Sequence, residues 1–305
     1  MRAPLRYYGG KSRALDQIYD FFPTSFSKKV MVDVFGGSWI VTLNAPKIKR
    51  AIVNDYYGDL QNFWWVVRGW PIEKKGDEYK AFETIMADPK AFYPLFELFK
   101  VEHDSMVYNV DYIQKLTEEI ELLESLDEND NMIAVVKAAK FYLVNRIKYS
   151  GMQNCKDTSG FHSLPGGNVF HETLQEWHNW FKNKDVRVWN LDFREVMKKV
   201  NKMDPKTLEL FIYCDPPYVD EGGGYKHSFV EQDHRDLAKL LLESKHKWVL
   251  SYDDDKAGLV RELYEGKEGI EITPVRWEYS STKGNATNGK HELIITNNSV
   301  DVNEI

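Results

Sequence analysis

The sequence predicts an α/β protein, a doubly wound sheet interrupted by a mostly helical insertion. Three observations carry this expectation. Short apolar runs end in acids or glycines and are followed by helical spacing, the pattern of repeated strand–turn–helix units. One such run, Leu210-Phe211-Ile212-Tyr213-Cys214, is stopped by two prolines, as a buried parallel strand would be. The stretch from 70 to 145 shows helical spacing instead of strands. The sheet domain is expected to comprise residues 1–69 and 186–305, with 70–185 inserted between its second and third strands.

At the N-terminal end, Arg6-Tyr7-Tyr8-Gly9-Gly10-Lys11 precedes a helix with Ala14, Leu15, Ile18 and Phe22 on one face, closed by Pro23. The glycines allow close backbone approach, and Lys11 adds a positive charge beside them. A plain turn before a helix is the simpler reading of this element alone. Val30 to Phe35 is the first strand, carrying Asp33 and followed by Gly36-Gly37-Ser38. Ala51 to Asp55 is the second, and its terminal acid suits ribose hydroxyls or a turn equally well. Leu60, Phe63, Trp64 and Val67 form a helical core stripe.

Within the insertion, Ala81–Met86, Phe92–Phe99, Val110–Leu126 and Ile133–Val144 carry helical spacing. The acidic run from Glu118 to Asp130 reads as a solvated face. From Asn145 the texture becomes polar, basic and aromatic, through Pro165-Gly166-Gly167-Asn168, and predicts a projecting loop or hairpin. Asn145, Arg146, Lys148, Tyr149, Asn154 and Lys156 are of the types that hold phosphates and read base edges.

Val186 to Asn190 is the third strand, followed by Leu191-Asp192-Phe193, where Asp192 can cap a helix. Leu210 to Cys214 is the fourth, delivering Asp215-Pro216-Pro217-Tyr218 to its carboxyl end, where ligands bind in open α/β sheets. Gly222-Gly223-Gly224 follow as a loop able to close over a ligand, then a helix with Leu237, Leu240 and Leu241 and Asp233 as its N-cap. Trp248–Asp253 is a further buried strand. Ile270–Val275 and Glu292–Thr296 form a closing antiparallel hairpin, whose connector carries Lys283 and Lys290.

The Asp215–Tyr218 tetrapeptide has a direct chemical reading. An amine conjugated to a heterocycle is a poor nucleophile because its lone pair is delocalised. Two acceptors on its N–H groups, here the Asp215 carboxylate and the Pro216 carbonyl, localise that pair. Tyr218 offers a face for the ring, as in enzymes that extrude a base from the duplex. A strand that merely ends in a Pro-Pro turn is the bland alternative.

Asp-Pro-Pro-Tyr is the signature of amino-group methyltransferases, and the chain resembles the Dam-like DNA adenine methyltransferases over nearly its whole length. The resemblance implies a Rossmann-like methyltransferase sheet with an inserted target-recognition domain, using S-adenosylmethionine on double-stranded DNA. It assigns catalysis to Asp215, Pro216, Pro217 and Tyr218. It assigns cofactor contacts to Tyr8, Lys11, Asp33, Phe35, Gly37, Asp55, Asp192, Phe193 and Asp215. Asp192 and Phe193 would meet the cofactor's adenine, Asp55 its ribose, and Tyr8 and Lys11 its carboxylate end. The segment from Asn145 would lead into the recognition hairpin. One departure stands out: Trp39 occupies the place of the second glycine in the family's Phe-x-Gly-x-Gly turn. It would either block the cofactor or rotate out and pack. Asp at the head of the tetrapeptide favours adenine over cytosine. Alternatives are cytosine amine methylation, a DNA-binding protein that has lost catalysis, and a small-molecule or RNA methyltransferase.

Bulk composition bounds these readings. The 305 residues suffice for a sizeable core. Two cysteines, Cys155 and Cys214, argue against disulfides or a zinc site and fit a reducing cytoplasm. The absence of membrane-length apolar runs or a secretory pattern predicts a cytoplasmic protein without a membrane partner. His227 and His234 read as surface or loop residues, and no metal is expected. The net charge of −7 requires any DNA-binding surface to be local. Oligomeric state is not legible.

Overall fold

The computed structural model describes residues 5, 7, 9–69, 110–125, 130–147, 170–182, 184–220, 229–276 and 291–297. The described strands are β1 (Val30–Asp33), β2 (Arg50–Asn54), β3 (Asp185–Trp189), β4 (Leu210–Cys214), β5 (Lys247–Asp253), β6 (Glu271–Arg276) and β7 (His291–Thr296). They form a seven-stranded sheet in the order β3-β2-β1-β4-β5-β7-β6. β1 pairs in parallel with β2 and β4, and β4 with β5, while β7 runs antiparallel between β5 and β6. Pro274 lies in β6, the edge strand, where a missing ladder donor is tolerated.

The order explains where a ligand can go. From β1 the chain winds outward through β2 and β3, and from β4 it winds the other way through β5. The reversal falls between β1 and β4, the topological switch point of a doubly wound sheet. In register, Asp33 lies opposite Tyr213, so residues following these strands emerge side by side. All five residues of β4 are buried, as expected for a strand covered on both faces.

The chain divides into two compact units. One comprises Met1, Gly9–Tyr56 and Trp189–Ile305. Its helices are α1 (Leu15–Tyr19), α2 (Ile40–Asn44), α7 (Phe193–Asn201), α8 (Glu231–Leu242) and α9 (Leu259–Tyr264), numbered in chain order with those of the other unit. The other unit comprises Arg2–Tyr8 and Tyr57–Val188. It contains α3 (Gly58–Arg68), α4 (Val110–Ser125), α5 (Asp130–Ile147) and α6 (Phe170–Phe181). The stripe Leu60, Phe63, Trp64 and Val67 of α3 has no exposed surface. Phe63 stacks on Tyr142 at 5.4 Å, and Trp64 meets Trp177 edge-on at 6.4 Å. Burying each such ring contributes about 2 kcal/mol. Asn62 Nδ2 donates to the Ala134 carbonyl at 2.9 Å, tying α3 to α5.

Three local expectations need correction. The change of texture at Asn145 does not start a loop, because α5 continues to Ile147 and Asn145 is buried. His234 is not a surface residue. It lies on the α8 stripe with Leu237 and Leu241, is buried, and hydrogen-bonds the Tyr252 hydroxyl through Nδ1. Asp233 does not occupy the N-cap position. The helix begins two residues earlier, and the Asp233 carboxylate reaches back to accept the Val230 N–H at 2.7 Å.

Candidate active site

β4 leaves the sheet at Asp215, and the two prolines prevent further ladder bonding. Beside the exit stands Lys11, which is buried. Its Nζ lies 2.9 Å from Asp215 Oδ1 and donates to the Gly9 carbonyl at 3.0 Å. The same ammonium sits over the Tyr218 ring, 4.7 Å from its centroid. Asp215, Tyr218 and Lys11 therefore form one cluster, although the sequence reading gave Lys11 only a cofactor role.

Residues 218–220 are held from β5 and β7. The Tyr218 hydroxyl donates to Glu292 Oε2 on β7 at 2.6 Å. The Asp253 carboxylate, at the end of β5, accepts the Val219 and Asp220 N–H groups at 3.2 and 3.0 Å. Tyr213 shares a 2.9 Å hydrogen bond with Ser251. Burial raises the Tyr218 phenol well above its ordinary range, and the nearby Asp215 and Glu292 charges push the same way. Tyr218 is thus a neutral donor to Glu292. Sequence reasoning missed Glu292 and Asp253. Their only signal is an acid at one end of an otherwise apolar strand.

The β1 exit is built around Asp33 and the glycine turn. Asp33 is buried, and Oδ2 accepts the Thr42 hydroxyl of α2 at 2.7 Å. Burial pushes its carboxyl up to about 7; the Thr42 hydrogen bond opposes the shift and the Asp215 and Asp55 charges add to it. Gly37 has φ 52° and donates its N–H to Asp55 Oδ2 at 2.9 Å, joining the turn to the end of β2. At Gly36 a Cβ would overlap Val53 Cγ1 and press on the Trp39 indole at 3.0 Å. Asn54, also missed, is buried and ties three exits together. Its Nδ2 donates to the Val34 and Leu191 carbonyls at 3.0 and 3.1 Å, and its Oδ1 accepts the Leu191 N–H at 2.9 Å.

Trp39 adopts a backbone that favours glycine, with φ 61° and ψ 11° in the left-handed region. Its indole has no exposed surface and packs against Gly36. The indole is thus packed into the turn that follows β1.

An aromatic cluster stands at the same edge. Phe35, Phe193 and Phe229 meet pairwise with centroids 5.6, 5.8 and 5.3 Å apart. Asp192 caps α7, its Oδ1 accepting the Arg194 N–H at 2.8 Å. The Arg194 guanidinium lies over Phe193, 4.4 Å from its centroid, and pairs with Asp192, Asp233 and Asp236. Among the expected cofactor residues, Lys11, Asp33, Phe35, Gly37, Asp55, Asp192, Phe193 and Asp215 all belong to this unit. Tyr8 lies outside the described residues, as do Lys148, Tyr149, Asn154, Lys156, Gly222–Gly224, Lys283 and Lys290, and the Arg146 side chain.

A family model describing D12 class N6 adenine-specific DNA methyltransferases matches residues 7–280. The chain belongs to this family. Similar proteins include the modification methylase StsI of Streptococcus sanguinis, 23% identical over 97% of this chain and 43% of its own length. The type II methyltransferase M.FokI of Planomicrobium okeanokoites is 25% identical over 97% of this chain and 43% of its own. The Retron Ec67 DNA adenine methylase of Escherichia coli is 23% identical over 87% of this chain and 81% of its own. The chain thus spans less than half the length of the first two relatives. The mostly parallel seven-stranded sheet is consistent with the Rossmann-like methyltransferase fold of this family. Among the described residues no side-chain group has the makings of a metal site, and no helix is long and apolar enough to cross a membrane.

Proposed function

We propose that this chain is a site-specific DNA adenine methyltransferase that uses S-adenosylmethionine on an adenine extruded from the duplex. The observation that carries the reading is the position of Asp215: at the carboxyl end of β4, beside the switch point, with the Tyr218 ring next to it and Lys11 at 2.9 Å.

Residues of this edge suit the cofactor. The phenylalanine cluster matches a flat purine, Asp55 places a carboxylate at the end of β2 where ribose hydroxyls would lie, and the turn at Gly37 permits close approach. Tyr8, Asp192 and the Lys11 ammonium complete the proposed cradle. When bound, S-adenosylmethionine supplies a methyl group already activated on a sulfonium. The chain's own part is to prepare the amine. The Asp215 carboxylate and the Pro216 carbonyl accept its two N–H groups and localise the nitrogen lone pair. Tyr218 fixes the plane of the base, and Pro217 prevents the segment from rejoining a ladder. After transfer the nitrogen sheds a proton toward Asp215 or water.

Duplex DNA as partner follows from the same reading. The basic and aromatic segment containing Arg146, Lys148, Tyr149, Asn154 and Lys156 supplies the proposed backbone and base contacts. Asn145, being buried, serves as a support of that segment.

Nucleoside mass spectrometry on mixed-sequence duplex DNA incubated with protein and S-adenosylmethionine tests the function. N6-methyladenine made by the native chain and not by Asp215→Ala supports it. Methylcytosine, or no modified base, overturns it.

A further inference from the structure

Glu292 begins the buried part of β7 and has no exposed surface. In the β5–β7 register it stands directly opposite Asp253, which is also buried. Two carboxylates facing each other across a ladder repel, and removing either from water is costly. Strand pairing alone is better served by apolar residues here. Both acids instead direct acceptors at the three residues that follow Asp215-Pro216-Pro217. Glu292 accepts the Tyr218 hydroxyl at 2.6 Å, and Asp253 accepts the N–H groups of Val219 and Asp220.

We propose that Glu292 is a positioning residue for methyl transfer: it fixes the Tyr218 ring through its hydroxyl and makes that ring a better partner for positive charge. The inference rests on the methyltransferase reading above. A phenol that donates to a carboxylate has a more electron-rich ring, and the Lys11 ammonium 4.7 Å from the centroid shows that this ring already accommodates a cation. As the target nitrogen gains its methyl group and the sulfonium becomes a neutral thioether, the positive charge passes to the base before a proton leaves. A preset ring beside that base stabilises the charge where it develops.

The test compares native protein, Glu292→Gln, Tyr218→Phe and the double variant, each checked for fold by circular dichroism. Single-turnover transfer to unmethylated mixed-sequence duplex DNA is measured beside calorimetric affinity for S-adenosylmethionine. In protein labelled with 13C at tyrosine Cζ, the signal lost in Tyr218→Phe identifies Tyr218. We expect each single variant to transfer about tenfold more slowly. Cofactor affinity should stay within about twofold, and the double variant should be no slower than the slower single one. The Tyr218 signal should move in Glu292→Gln. Native-rate transfer by either variant, effects that multiply in the double variant, or a loss confined to cofactor affinity would overturn the inference. If Glu292→Gln does not fold, Tyr218→Phe decides, since it removes the hydroxyl and keeps the ring. No transfer by the native chain would overturn the function itself and this inference with it. Native transfer with unaffected variants would overturn the inference alone.

Discussion

Lys11 and Asp215 form an ion pair with Nζ and Oδ1 2.9 Å apart, joining the N-terminal glycine element to the end of β4. The ammonium is almost wholly enclosed and the carboxylate about four-fifths so, with side-chain exposures of 3% and 18%. Removing one partner of such a pair leaves a charge without its counterion in a poorly solvated place. Lys11→Met should therefore destabilise the fold by roughly 3 kcal/mol, read from urea unfolding. It should also slow methyl transfer by about a hundredfold, because Asp215 and the Tyr218 ring both lose the group that orders them. Native stability in Lys11→Met would show that the pair contributes nothing net.

Much of this edge was legible in the sequence. Apolar runs bounded by turn residues placed β1, β2, β4 and β5, and two prolines fixed where β4 must end. The Lys11–Asp215 contact was not legible, because nothing local links positions so far apart in the chain. Glu292 and Asp253 were hidden for a related reason: an acid beside an apolar strand reads as its solvated end until a neighbouring strand is known to cover it. His234 was recoverable, since it precedes Leu237 and Leu241 at helical spacing on one face. Asp233 was displaced by three positions because the cap residue, Val230, has no acceptor side chain of its own.

Trp39 combines a strained backbone with a well-packed side chain, and the two effects oppose each other in Trp39→Gly. Glycine would relieve the left-handed φ of 61°, a gain of about 1 kcal/mol. It would also empty a site where the indole is fully buried, a loss of about 3–5 kcal/mol by analogy with other aromatic truncations. The cavity is the larger effect, so the variant should be less stable by about 2–4 kcal/mol in urea unfolding. Because the indole has no exposed surface, S-adenosylmethionine affinity should not improve. A tighter-binding variant would place the indole in the cofactor's way.

Binding to DNA should show the electrostatics of phosphate contacts despite the chain's net charge of −7. Each neutralised phosphate releases counterions, so duplex affinity should drop by about a hundredfold or more between 50 and 200 mM salt if several lysines and arginines take part. Lys148→Ala and Lys156→Ala should each lower the steepness of that dependence by about one unit of log affinity per log salt. Fluorescence anisotropy with a labelled duplex at a series of salt concentrations measures both. A flat dependence would count against phosphate contacts and against DNA as the substrate.

Asp33 makes stability depend on pH in a stated direction. Its carboxyl is pushed from an ordinary 3.8 to about 7, chiefly by burial, so the folded chain holds a proton there that the unfolded chain releases near pH 4. The stabilising contribution is full below pH 4 and is lost as pH rises to 7. A shift of this size corresponds to roughly 4 kcal/mol across the window, an upper bound because the structure can relax around the charge. Asp33→Asn keeps a neutral group able to hydrogen-bond Thr42 and removes the titration. Its stability advantage over the native chain should grow by about 2 kcal/mol between pH 5 and pH 8. Urea unfolding at these two pH values measures the difference. A variant less stable than the native chain at pH 8 would show that Asp33 is held ionised, with Thr42 and the backbone at Phe35 outweighing the cost of burial.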